Sequence, residues 1–89
     1  MLYTIKIKKT VLKSLGKLPE EVQNRFENLT QVLRHSGPKG ANIFKNYSKL
    51  SKNEYHCHLT YHYVACWRYK KGTITIEVYY VGSREKAPY

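Results

Sequence analysis

The chain has 89 residues, 42% apolar and 25% charged, enough for one small core of helices on a sheet and too few for a second core or a large internal pocket. Sixteen Lys and Arg oppose six Glu and no Asp, giving +10, beyond the magnitude of about 2–8 that keeps a small domain soluble, so a polyanionic partner is expected: nucleic acid first, an anionic membrane second. Apolar runs are only a few residues long and no apolar stretch follows the opening charges, so neither a membrane span nor a signal peptide is expected, and a cytoplasmic location is.

Residues 3–7 alternate apolar and polar with β-branched content, which predicts a strand starting near Leu2. Thr10 can cap a short helix carrying Val11, Leu12 and Leu15, with Gly16 to Leu18 ending it. Pro19 at a first helical position, with Glu20 and Glu21 in the first turn, opens a second helix. Its apolar stripe is Val22, Phe26, Leu29 and Leu33, and it should end near His35, before the breaker cluster Ser36-Gly37-Pro38-Lys39-Gly40.

Residues 41–53 read as a solvated loop, with Lys45, Lys49 and Lys52 around Ile43, Phe44, Tyr47 and Leu50. Three strand-like runs follow, Tyr55 to Leu59, His62 to Tyr69 and Thr73 to Val81, the last two joined by a tight turn at Lys70-Lys71-Gly72. The expected architecture is α+β: a strand, a helical hairpin and three antiparallel strands, making a four-stranded sheet with helices on one face. Residues 1–89 form a single domain in this reading, with no repeat or linker. Cys57 and Cys66 are too few for a disulfide scaffold and are expected as reduced, part-buried thiols.

The chemistry concentrates in His56, His58 and His62, three imidazoles within seven residues. Strand alternation puts His56 and His58 on one face and sends Tyr55, Cys57 and Leu59 toward the helices. A short connection would return His62 to the same surface. Imidazoles exchange protons near neutral pH, and positive surroundings favour the neutral, base-competent form. Two other readings stand beside this one. Solvent-facing strand positions tolerate His without any role, and a metal could take the three rings, although zinc needs converging ligands and Cys57 points to the opposite face.

The last strand runs into Gly82-Ser83-Arg84-Glu85-Lys86-Ala87-Pro88-Tyr89, read as a glycine turn, two cations and a terminal tyrosine. Arg84 can clamp a phosphate or be an ordinary exposed cation, and Tyr89 can stack on a base.

The element order, the run Tyr55-His56-Cys57-His58-Leu59, the run His62-Tyr63-Val64-Ala65-Cys66-Trp67 and the ending Val81 to Tyr89 resemble the RelE/ParE superfamily of bacterial toxin–antitoxin toxins. The resemblance covers essentially the whole chain, in pattern over the first half and in sequence over the second. For the RelE/YafQ-like branch it implies a ribosome-dependent endoribonuclease that cuts mRNA without metal or cofactor and is held inactive by an antitoxin, here expected to be acidic and partly disordered when free. For the ParE branch it implies a DNA gyrase inhibitor without nuclease residues. A non-catalytic RNA-binding module, stacking bases on Tyr61, Tyr63 and Trp67, is the remaining alternative.

Carried over by position, the two basic residues of the RelE strand fall on His56 and His58, and the arginine of the next strand falls on His62. The arginine after the last glycine falls on Arg84 and the catalytic tyrosine on Tyr89. Three RelE cations are thus imidazoles here, as in histidine-using members, although those carry histidine where Arg84 stands. The implied roles are His58 or His56 as base, Arg84 on the phosphate, His62 or the other strand histidine as acid, and Tyr89 positioning the nucleotide or sharing in proton transfer. Lys45, Lys49, Lys52, Lys70, Lys71 and Lys86 would hold ribosomal RNA or simply solvate the surface.

Overall fold

The computed structural model describes residues 2–89. The chain opens with strand β1 (Thr4–Ile7), two residues later than the sequence suggests, because the Tyr3 amide donates to the Arg34 carbonyl at 2.8 Å rather than to the sheet. The Lys8 amide still bonds to Val78 of the sheet at 3.0 Å, so the backbone passes directly into helix α1 (Lys9–Leu15). Lys8 therefore occupies the N-cap, and Thr10 lies inside the first turn without capping it.

Helix α2 (Glu20–Ser36) starts one residue later than expected, with Pro19 at its N-cap rather than at its first position, and Glu20 and Glu21 beside its partial positive charge. It stops where Gly37 takes φ 85°, a left-handed value that favours glycine, and the Gly37 amide donates to the Leu33 carbonyl. Val22, Phe26, Leu29 and Leu33 are all buried, as the stripe requires. Each contributes about 1.5–3 kcal/mol through loss of water contact.

Residues 41–53 are not a plain loop. A 3₁₀ turn (Gly40–Ile43) precedes strand β2 (Ser48–Ser51), which pairs antiparallel with β3 (Glu54–His58). Strands β4 (Tyr63–Tyr69) and β5 (Thr75–Ser83) complete a five-stranded sheet in the order β1-β5-β4-β3-β2. The expected sheet of four strands is thus corrected to five, within the same α+β class. β1 runs parallel to β5, while the other neighbours are antiparallel. The β4–β5 turn falls where expected, with Gly72 at φ 81° and the Thr73 amide bonded to the Lys70 carbonyl.

The inward face of the sheet presents Tyr55, Cys57, Ala65, Trp67, Ile76, Val78 and Val81, which join α2's stripe in one core. The Trp67 indole N–H donates to the Pro38 carbonyl at 3.0 Å, satisfying the polar atom of the largest buried side chain. Cys57 and Cys66 are free buried thiols, their pKa values pushed up to about 12 chiefly by burial. Among the described residues, no helix is long and apolar enough to cross a membrane.

Candidate active site

The face opposite the helices carries the imidazoles. Because His56 pairs with Cys66 and His58 with Val64, the two rings share that face, and Cys66 and Val64 beside them are fully buried. The ring centroids of His56 and His58 are 6.0 Å apart. His56 is only 8% exposed, since it is covered from two sides. Ser48 of β2 places its hydroxyl 3.0 Å from His56 Nδ1, and the Tyr89 ring packs 4.4 Å from the His56 ring.

Burial lowers the pKa of His56, repulsion from His58 lowers it further, and a hydrogen bond with the Ser48 backbone pulls the other way. His56 is therefore neutral at pH 7. With Nδ1–H donating to the Ser48 hydroxyl, Nε2 keeps its lone pair and can accept a proton from a ligand. Partial burial raises the Tyr89 pKa, so its phenol stays protonated at neutral pH.

His62 lies in the β3–β4 connection, one residue before β4, and is exposed. Its ring meets Tyr61 edge-on at 4.9 Å, and its carbonyl accepts the Arg84 amide at 2.8 Å. The Arg84 guanidinium lies over the Tyr61 ring at 4.5 Å. Thus His56, His58 and Tyr89 form one group, while His62, Tyr61 and Arg84 form a second at the same end of the sheet. Among the described residues no cluster of three or more His, Cys, Asp or Glu could hold a metal ion.

Gly82 does not make a turn. β5 continues through Gly82 and Ser83, paired with Val64 and Tyr63, and the chain bends only at a 3₁₀ turn (Arg84–Lys86). Glycine is needed there for space. A Cβ on Gly82 would sit 2.8 Å from the Tyr80 hydroxyl, which donates to the Ser83 carbonyl at 2.7 Å.

The lysines are dispersed. Lys45 flanks the imidazole end, its carbonyl accepting the His58 amide at 2.8 Å, whereas Lys49 pairs with Tyr55 and so projects to the helix side of the sheet. Lys52 lies in the β2–β3 turn, and Lys86 in the turn after Arg84. Lys70 and Lys71 lie beyond the far end of β4, on the order of 20 Å away at the rise of a strand. At that end Arg68 lies between Glu54 and Glu77, 3.8 and 3.7 Å away. Ser48 was missed by the sequence reading. The signal available was the two-residue Lys52-Asn53 connection between Ser51 and Glu54, which carries no glycine to mark a hairpin.

The helix pair packed on this sheet is the fold of the RelE toxins. The archaeal RelE–RelB complex from Pyrococcus horikoshii superposes with a TM-score of 0.76 at 23% identity, over 98% of this chain and 100% of that one. A mutant Escherichia coli RelE toxin in the free state gives 0.76 at 18%, over 98% and 88%. The toxin–antitoxin complex RelBE2 from Mycobacterium tuberculosis gives 0.69 at 16%, over 94% and 100%. No protein-family model matches the sequence, and no curated protein matches it significantly.

Proposed function

We propose that this chain is the toxin of a type II toxin–antitoxin pair and cuts messenger RNA on the ribosome by acid–base chemistry that uses no metal. The observation that carries this reading is the pair His56 and His58, 6.0 Å apart on one sheet face, with His56 held neutral by its surroundings. That spacing leaves room for one phosphodiester between two proton carriers.

His56 Nε2 takes the proton from the 2′-hydroxyl, and the freed oxygen attacks the adjacent phosphorus. As the phosphorus to 5′-oxygen bond breaks, His58 acts as the acid and gives a proton to the leaving oxygen, producing a 2′,3′-cyclic phosphate and a 5′-hydroxyl. Arg84 neutralises charge building on the phosphate, a role suited to its planar donors. Tyr89 packs on His56 and positions the nucleotide, while His62 and Tyr61 brace Arg84. Lys45 holds RNA beside the site, and Lys49, Lys52, Lys70, Lys71 and Lys86 extend the contact over ribosomal RNA.

The likeness to a toxin–antitoxin complex and the charge of +10 together support an acidic antitoxin as partner. A chain acting on ribosomes works in the cytoplasm. The test is incubation with mRNA-loaded ribosomes in chelator, followed by mapping of the new 5′ ends. Cleavage is expected with wild type, and His56→Ala, His58→Ala and Arg84→Ala should each cut about 10²–10⁴-fold more slowly while still binding ribosomes. Wild-type rates in all three variants would overturn the catalytic assignment. Loss of DNA supercoiling in cells with translation intact would instead favour a gyrase inhibitor.

A further inference from the structure

Beside the imidazole pair lies a groove of about 330 Å³ that shares Lys45, His58 and Tyr61 with the proposed site and extends past it to Arg25 and Ile43. Its walls include Arg25 from α2, Ile43, Lys45 and Asn46 from the segment before β2, and His58 and Tyr61 from β3 and the turn after it. Three observations bear on what it holds.

Ile43 and Tyr61 are 78% and 69% exposed, the two most exposed large apolar side chains among the described residues, and both line this one groove. The groove carries two full positive charges and no carboxylate on its lining. Arg25 does meet Glu21, but through Nε at 3.1 Å, which leaves the terminal nitrogens of its fork for another acceptor. The groove is also tied to the histidines: the Lys45 carbonyl accepts the His58 amide at 2.8 Å, and His58 itself lines the wall. Asn46, at φ 54°, turns the chain immediately after Lys45.

A planar apolar ring, an aliphatic side chain, cations and an amide side chain are the chemistry of a nucleotide site, where a base needs a stacking surface and a hydrogen-bonding edge and its phosphate needs charge. We infer that this groove is a subsite for one nucleotide flanking the cleaved bond, with the base between Tyr61 and Ile43 and its phosphate on Arg25 and Lys45. The assignment rests on the nuclease reading and adds to it a determinant of where the message is cut. His58 belongs to both sites, so a base seated in the groove fixes which phosphodiester lies between the imidazoles.

The test uses the whole protein on programmed ribosomes carrying messages with a single abasic residue at each of the three positions on either side of the cleaved bond. Wild type should lose about tenfold in rate at one of these positions, as expected for one stacked base. Ile43→Ala, a change at an exposed side chain, should cut intact message at that reduced rate and show no further loss at the same position. Lys45→Ala should slow all messages alike. If no position matters, or the loss is the same in Ile43→Ala as in wild type, the groove does not hold a base and this inference falls, while cleavage of intact message leaves the nuclease reading in place. If wild type cuts no message at all, the nuclease reading fails and the subsite with it.

Discussion

Ser48 and His56 face each other across the β2–β3 pair, hydroxyl oxygen to Nδ1, at 3.0 Å. A hydroxyl can accept from Nδ1–H whether the ring is neutral or protonated, so the ring keeps one orientation throughout a proton-transfer cycle. What opposes the lowering by burial and His58 is a hydrogen bond with the Ser48 backbone, which any residue at this position keeps. Ser48→Ala removes the hydroxyl but keeps that backbone contact, so the acid limb of the pH–rate profile should stay where it is. The rate at pH 7 should fall by about 3–10-fold, the worth of one positioning hydrogen bond. Ser48→Thr, which keeps the hydroxyl, should restore the rate. A rate at pH 7 as high in Ser48→Ala as in wild type would sink the assignment.

Stability should follow the same group. The pKa of His56 is depressed in the folded chain, so the unfolded chain takes up its proton first as pH falls. The contribution of the neutral ring is complete above the unfolded value of about 6.5 and drains away as pH falls through the folded value. Urea titrations at pH 7.5 and pH 5 should show a larger acid loss for wild type than for His56→Gln. Equal losses would mean that the ring is not held neutral by the fold.

His62 touches Tyr61 and supports Arg84 through its carbonyl, which any residue retains. His62→Ala should accordingly slow cleavage by less than about tenfold, well short of the 10²–10⁴-fold expected of an acid–base group. A loss as large as that of His58→Ala in single-turnover assays would instead make His62 the acid.

Gly82→Ala should cost about 1–3 kcal/mol of stability, because the new methyl must displace the Tyr80 hydroxyl and break its bond to the Ser83 carbonyl. Combining it with Tyr80→Leu should cost less than the sum of the two single changes, since the obstacle has gone. Denaturant midpoints of the three variants decide this, and strict additivity would rule out the contact.

In the core, Leu29 is fully buried on the stripe of α2. Leu29→Ala should lose about 2–5 kcal/mol by lost burial and a residual cavity. Leu29→Met, which conserves volume, should stay within about 1.5 kcal/mol of wild type in the same urea titration.

What could be read from the residues alone was whatever repeats over a few positions. The period of a helix placed Val22, Phe26, Leu29 and Leu33 on one face, and the period of a strand turned Tyr55 and Cys57 inward and His56 and His58 outward. Both periods belong to the local backbone and need no partner to be seen. Pairings between distant segments were decided only by the tertiary structure. Ser48–Ser51 is too short and polar to announce itself and is a strand only because β3 offers it an edge. Gly82 resembled a turn but continues β5 because Val64 pairs with it. Likewise, a terminal tyrosine carries no sign of where it will land, and its packing against His56 follows from the bend at Arg84–Lys86 that carries the chain's end back over the sheet. Such contacts depend on how whole elements dock, a property that no short window of sequence contains.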